Sequence, residues 1–221
     1  RFTPLLTSAG DETHYIQKFN HVNISLTDST NVEILKSSQW FDKSIFYHEY
    51  GHAIFEQKGL VNNKELSKLF DTWAARITDE KETQLLLQIQ DISSKEQQSI
   101  IDAFWDKAQV QINAAYKESD FGLITKIQEQ FYIDIEKELQ KWTYNFDEQI
   151  GGFTDCMSAA TEHVYASYAC HNTSYWQESY YNKLTEFFAH CSENYHIGNL
   201  YFETMDKDLY EAMIAFFKSI Q

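Results

Sequence analysis

The sequence predicts an α+β fold dominated by helices, with a small sheet near its N-terminus, and three observations lead there. One proline and seven glycines in 221 residues leave few breaks, which suits long helices and leaves little room for an all-β sandwich. Residues 21–26 alternate, with Val22, Ile24 and Leu26 on one side and polar residues on the other, as in a half-buried strand. From about Asp42 onward the apolar spacing becomes helical.

Taken in order, residues 1–20 are mixed and pack loosely, and the strand at 21–26 follows. Asp28-Ser29-Thr30-Asn31 is turn chemistry, and residues 32–35 read as a second short strand. A helix then brings Ile45, His48, Glu49, His52 and Phe55 near one face, and Gly59 supplies a C-terminal stop. Residues 62–147 are rich in Gln, Glu, Lys, Leu and Ile and read as several amphipathic helices, broken near Ser119-Asp120-Phe121-Gly122. Gly151-Gly152 opens a third section: a helix over 153–163, an irregular aromatic loop over 164–176, a helix over 183–194 and a last amphipathic helix over 206–220. The expected organisation is therefore 1–61, a helical insertion at 62–147, and 148–221.

Composition narrows the function. The formal charge is −15 and is spread along the chain, which argues against nucleic-acid binding through clustered Lys and Arg. No apolar run approaches the length of a membrane span. Three cysteines, Cys156, Cys170 and Cys191, form no CxxC pair, and their odd number fits a reducing compartment better than a disulfide-stapled domain. The chain begins at Arg1 without a methionine, which leads to the expectation of a fragment or a processed product.

The chemistry lies in Phe46-Tyr47-His48-Glu49-Tyr50-Gly51-His52-Ala53-Ile54, which contains His-Glu-x-x-His. Four residues is slightly more than one helical turn, so both imidazoles leave the same face and reach one ion. Glu49, next to the first histidine, is then placed to take a proton from water at that ion. A helix can also carry two such histidines with no metal. The apolar flanks and helical period here favour metal, and zinc is the cofactor expected.

A catalytic zinc needs a third protein ligand. No histidine follows His52 at the short metzincin spacing, so the candidates lie downstream: His163, His171, Glu178, Glu186, His190 and Glu193. Glu186 is the best of them, because Leu184-Thr185-Glu186-Phe187-Phe188-Ala189 sets one acid amid apolar helix residues, where a buried carboxylate needs a positive partner. Tyr175 or His171 beside the metal would steady an oxyanion, and Asp155 would either orient a histidine or cap a helix.

Tyr47-His48-Glu49-Tyr50-Gly51-His52-Ala53 followed by Glu186-Phe187-Phe188-Ala189 resembles the paired motifs of lethal-factor-type zincins. The stretches Gly151-Gly152-Phe153-Thr154-Asp155, His171-Asn172-Thr173-Ser174-Tyr175-Trp176 and Glu186-Phe187-Phe188-Ala189 are more closely similar to zincin-like domains of phage head-morphogenesis, minor capsid and mobile-element proteins. The likeness covers roughly residues 20–60 and 148–196. It implies a zincin-like fold, with His48, His52 and Glu186 as zinc ligands, Glu49 as general base, and Tyr175 or His171 as catalytic donors. Asp155 and His190 stand behind the ligands. Lethal-factor-type chains often carry an acid four residues after the zinc-binding glutamate, where this chain has His190.

The function expected is a zinc metallopeptidase acting on a peptide or protein substrate. The alternative is a non-catalytic zincin-fold interaction module of a phage or mobile-element protein. Charge, cysteine content and resemblance point to a cytoplasmic or virion-associated setting, with a secreted toxin or effector protease as a further reading.

Overall fold

The computed structural model describes residues 6–8, 14–16, 21–25, 40–165 and 170–220. Three short strands, β1 (Leu6–Ser8), β2 (His14–Ile16) and β3 (His21–Ser25), precede a succession of eight helices. They pair in the order β1-β3-β2, β1 parallel and β2 antiparallel to β3. The second strand expected at 32–35 lies outside the described residues.

The helices are α1 (Trp40–Lys58), α2 (Lys64–Ala74), α3 (Asp79–Lys117), α4 (Phe121–Thr161), α5 (Thr173–Glu178), α6 (Tyr180–His196), α7 (Leu200–Met205) and α8 (Lys207–Ser219). The α+β expectation, with a small N-terminal sheet, is thereby corrected: the described chain is mainly helical, its strands only three to five residues long. The physical reason is the scarcity of breakers after residue 40. Long uninterrupted stretches of good helix formers keep the chain in helix from there on.

The chain forms two compact units, residues 1–85 with 147–221, and residues 86–146. The second unit is made from the C-terminal part of α3 and the N-terminal part of α4. Ile89, Ala108 and Ala115 are buried within it, and Trp105 meets the edge of Phe131 at 5.4 Å between ring centroids. The turn between its helices passes through Ser119, whose φ of 58° is left-handed.

In the first unit α1 packs most extensively on α6, and α6 on α8. Phe187 sits between Phe70 and Trp73 of α2, while Phe188 stacks on Phe217 of α8 and faces Phe55 of α1. α2, which falls within the stretch set apart on composition, thus contributes to this core. Side-chain caps start several of these helices: Asn63 accepts from the amides of Glu65 and Leu66, Ser179 from Asn182, and Asp206 from Leu209. Gly59, at φ 61°, ends α1 in the left-handed conformation that the sequence suggests.

The close approach of α1 to α6 depends on Gly51. A Cβ there would lie 2.7 Å from Ala189 Cα and 3.0 Å from Ser192 Cβ, so backbone, not a flexible side-chain tip, blocks it. Gly51→Ala is expected to force the helices apart and lower stability by about 1–3 kcal/mol. His48, His52 and Glu186 lie on these two helices, so any metal affinity they confer should fall with it. Urea unfolding and a metal titration of the same variant check both effects.

No helix begins just after Gly151-Gly152, where one was expected over 153–163; α4 runs straight through both. Glycine in a helix interior costs only about 1 kcal/mol relative to alanine, which packing readily offsets. Here Gly152 makes room for the ring of His190, whose Nδ1 would lie 3.2 Å from an added Cβ.

Candidate metal centre

Two helices build the centre. His48 and His52 leave α1 one turn apart, and Glu186 comes from the face of α6 packed against it. His48 Nε2 lies 3.0 Å from Glu186 Oε2, His52 Nε2 lies 3.3 Å from the same oxygen, and the two Nε2 atoms are 3.1 Å apart. A tetrahedral zinc bound at about 2.0–2.1 Å separates its ligand atoms by about 3.3 Å, so this triangle fits the ion with little adjustment. Two imidazole nitrogens and one carboxylate oxygen are also donors that suit it.

The tautomers agree with that use. His52 Nδ1 is 2.9 Å from Thr185 Oγ1, so an Nδ1–H donating there leaves the Nε2 lone pair facing the triangle. Thr185 is buried and immediately precedes the ligand on α6. Thr185→Val keeps the shape and removes the acceptor. It is expected to lower metal affinity about 10–100-fold while the fold persists, measured by competition with a chromophoric chelator.

Charge makes the same case. Asp155, Glu186 and Glu193 are each 4% exposed or less and lie close together with four imidazoles. Burial alone would lift the Glu186 carboxyl, but the adjoining His52 and His48 hold it well below the usual carboxylate range. Burial likewise works against a charged His48, yet Glu186 and Glu193 raise its pKa well above that of free histidine. Buried carboxylates call for compensating positive charge, which a divalent ion would supply.

Tyr175, near the start of α5, donates its hydroxyl to Glu186 Oε1 at 2.5 Å. Burial and Glu186 push its pKa upward, so the phenol keeps its proton. His171 stacks on Tyr175, 4.2 Å between ring centroids and 17° from parallel. Its backbone amide and Nδ1 both reach Asp155 Oδ1, at 2.8 and 3.0 Å, while Nε2 points towards Glu186 Oε1 at 3.9 Å. Asp155 thus orients a histidine and does not cap a helix, since it lies inside α4. His190 Nδ1 meets Glu193 Oε2 at 2.5 Å, and its Nε2 lies 3.6 Å from Asp155 Oδ2.

The structure therefore brings together His48, His52 and Glu186, with Tyr175, His171, Asp155 and His190 around them. Glu49 follows His48 on α1 and is half-buried. Of the other third-ligand candidates, His163 pairs with Glu82 at 2.9 Å, and Glu178 accepts from Asn182. Glu193 approaches His48 Nδ1, 3.9 Å away, on the ring edge opposite the nitrogen that meets Glu186.

Sequence reasoning missed Thr185 and Glu148. Burial, then Glu193, pushes Glu148 up to about 7. Glu148, Gly152 and Asp155 recur at i, i+4 and i+7 on one face of α4, a spacing that was available as a signal once the helix was known to continue through the glycines. No family model, curated protein or solved structure matches this chain.

Proposed function

We propose that the chain is a zinc-dependent peptidase. The observation that carries this is the convergence of His48 Nε2, His52 Nε2 and Glu186 Oε2 to within 3.0–3.3 Å of one another, with Glu49 following His48 on α1. Bound zinc would polarise a peptide carbonyl and make water acidic near neutral pH. Glu49 takes the proton from the attacking water and delivers it to the departing amine. His171 Nε2 lies on the Glu186 side of the centre, where a donor steadies the negative charge gained by the carbonyl oxygen, and the Tyr175 hydroxyl serves there only by turning from Glu186 Oε1 to that oxygen. Asp155 holds His171 by Nδ1 and by the backbone amide, so Nε2 stays aimed inward.

The test is a zinc titration of protein purified without chelators, followed by cleavage of a denatured protein such as casein. About one zinc per chain and zinc-dependent cleavage are expected; a stoichiometry near zero would remove the reading and favour the non-catalytic module. The affinity carries a pH signature. The raised pKa of His48 means that the metal-free folded protein holds a proton there at neutral pH. That proton contributes stability fully below the unfolded value of about 6.5, and the contribution is lost as pH rises through the higher folded value. Binding must displace it, so affinity is expected to rise about tenfold per pH unit from pH 6 upward and to level off above the folded pKa. Calorimetry in buffers of different ionisation enthalpy should show about one proton released.

A further inference from the structure

Behind the ligand triangle, two helix faces meet. α4 presents Glu148, Gly152 and Asp155, and α6 presents Glu186, His190 and Glu193, each set at i, i+4 and i+7. His190 lies where they meet, 4% exposed, with its ring admitted by Gly152 and its face 4.7 Å from His48 between centroids. One of its nitrogens is taken by Glu193 Oε2 at 2.5 Å. The other, Nε2, has no hydrogen-bond partner among the described residues and faces Asp155 Oδ2 at 3.6 Å. The remaining oxygen of Glu193 lies 3.9 Å from His48 Nδ1, and Asp155 holds His171. A chain of alternating imidazoles and carboxylates thus runs from His48 through Glu193, His190 and Asp155 to His171, hydrogen-bonded at Glu193–His190 and Asp155–His171 and in ion-pair range at 3.9 and 3.6 Å in the other two links, with its three middle members buried.

We propose that His190 is a positioning residue that orients the metal ligand His48 and the donor His171 together, through Glu193 on one side and Asp155 on the other. This rests on the peptidase reading, since it assigns the two ends of the path to the metal and to the reacting carbonyl. It explains why a histidine occupies α6 one turn after Glu186. An acid there would put a third carboxylate against Asp155 and Glu193, whereas an imidazole bridges them. It also explains the glycine opposite, because any side chain at residue 152 would displace the ring. Independent supports for His48 and His171 would let each drift alone. A shared one makes metal geometry and donor geometry a single property of the buried interior.

The test uses cobalt(II) in place of zinc, because its visible absorption reports ligand geometry without any need for cleavage. Asp155→Asn hydrogen-bonds to none of the three proposed ligands, yet it is expected to change the cobalt spectrum and to lower kcat with KM held. Glu193→Gln is expected to reduce cobalt and zinc affinity about 10–100-fold. The double variant should be no worse than the poorer single one in either property, since both interrupt one path. Gly152→Ala leaves every ionisable group in place and serves where a charge variant does not fold; it too should shift the spectrum. An unshifted spectrum in both Asp155→Asn and Gly152→Ala, or single effects that multiply in the double variant, would overturn the shared role. If wild-type protein binds neither cobalt nor zinc, the peptidase reading itself fails, which is a different result.

Discussion

Glu186→Ala is expected to abolish zinc binding at micromolar metal. The substitution removes the oxygen on which His48 and His52 converge, leaving two imidazoles on one helix as the whole donor set. Loss of an outer partner of a metal ligand typically costs about 10–100-fold in affinity, and loss of a ligand costs more. The metal-free protein should change as well. His48 owes its raised pKa first to Glu186 working against burial. Without that carboxylate, burial has the larger share and the proton is held less well, so the proton release on metal binding shrinks. Tyr175 loses its acceptor at the same time. Thermal unfolding with and without zinc gives the clearest reading: zinc should raise the midpoint of the wild-type protein and leave the variant unmoved. An equal rise in both would place the ion elsewhere.

How much of this was legible in the sequence depends on what kind of constraint each residue answers to. His48, Glu49 and His52 were readable because a helix fixes the relation between positions four apart, whatever surrounds it. Glu186 was readable because an acid flanked by Leu184, Phe187 and Phe188 on a helix is costly unless something positive meets it. Thr185 and Glu193 act through another residue, and their role depends on how α6 is rotated against α1, which local pattern does not encode. The glycine pair was misread for a related reason. Locally, Gly151-Gly152 looks like a break, and its use appears only when the His190 ring is seen to need the space. Residues 62–147 read as several helices broken near Ser119-Asp120, and the structure places α2, α3 and the start of α4 there; the lengths of α3 and α4, 39 and 41 residues, go beyond what the apolar stripes marked. Alternation over 21–26 marks an extended segment, but fold class depends on how much of the chain such segments account for, and the short strands leave the described chain mainly helical.

Glu49→Gln is the variant that separates metal binding from chemistry. Glutamine matches glutamate in size and keeps one oxygen, so α1, His48 and His52 should stay in place and zinc stoichiometry should remain about one. What disappears is the ability to accept a proton from water and pass it to the amine, a contribution typically worth about 10²–10⁴ in rate. Cleavage of the denatured substrate should fall by that factor with KM little changed, because the group acts on the reacting atoms and not on substrate affinity. Other carboxylates nearby are poorly suited to substitute. Glu186 is committed to His48 and His52, Asp155 to His171, and Glu193 to His190. Glu148 is the exception, since burial pushes its pKa up to about 7, near the operating pH of an effective acid or base. The paired variant Glu148→Gln therefore decides the assignment. Full cleavage in Glu148→Gln and loss in Glu49→Gln places the base on α1, as the adjacency to His48 requires. The reverse pattern would move the proton transfer to α4 and leave Glu49 with a supporting part in the first turn of the metal-binding motif.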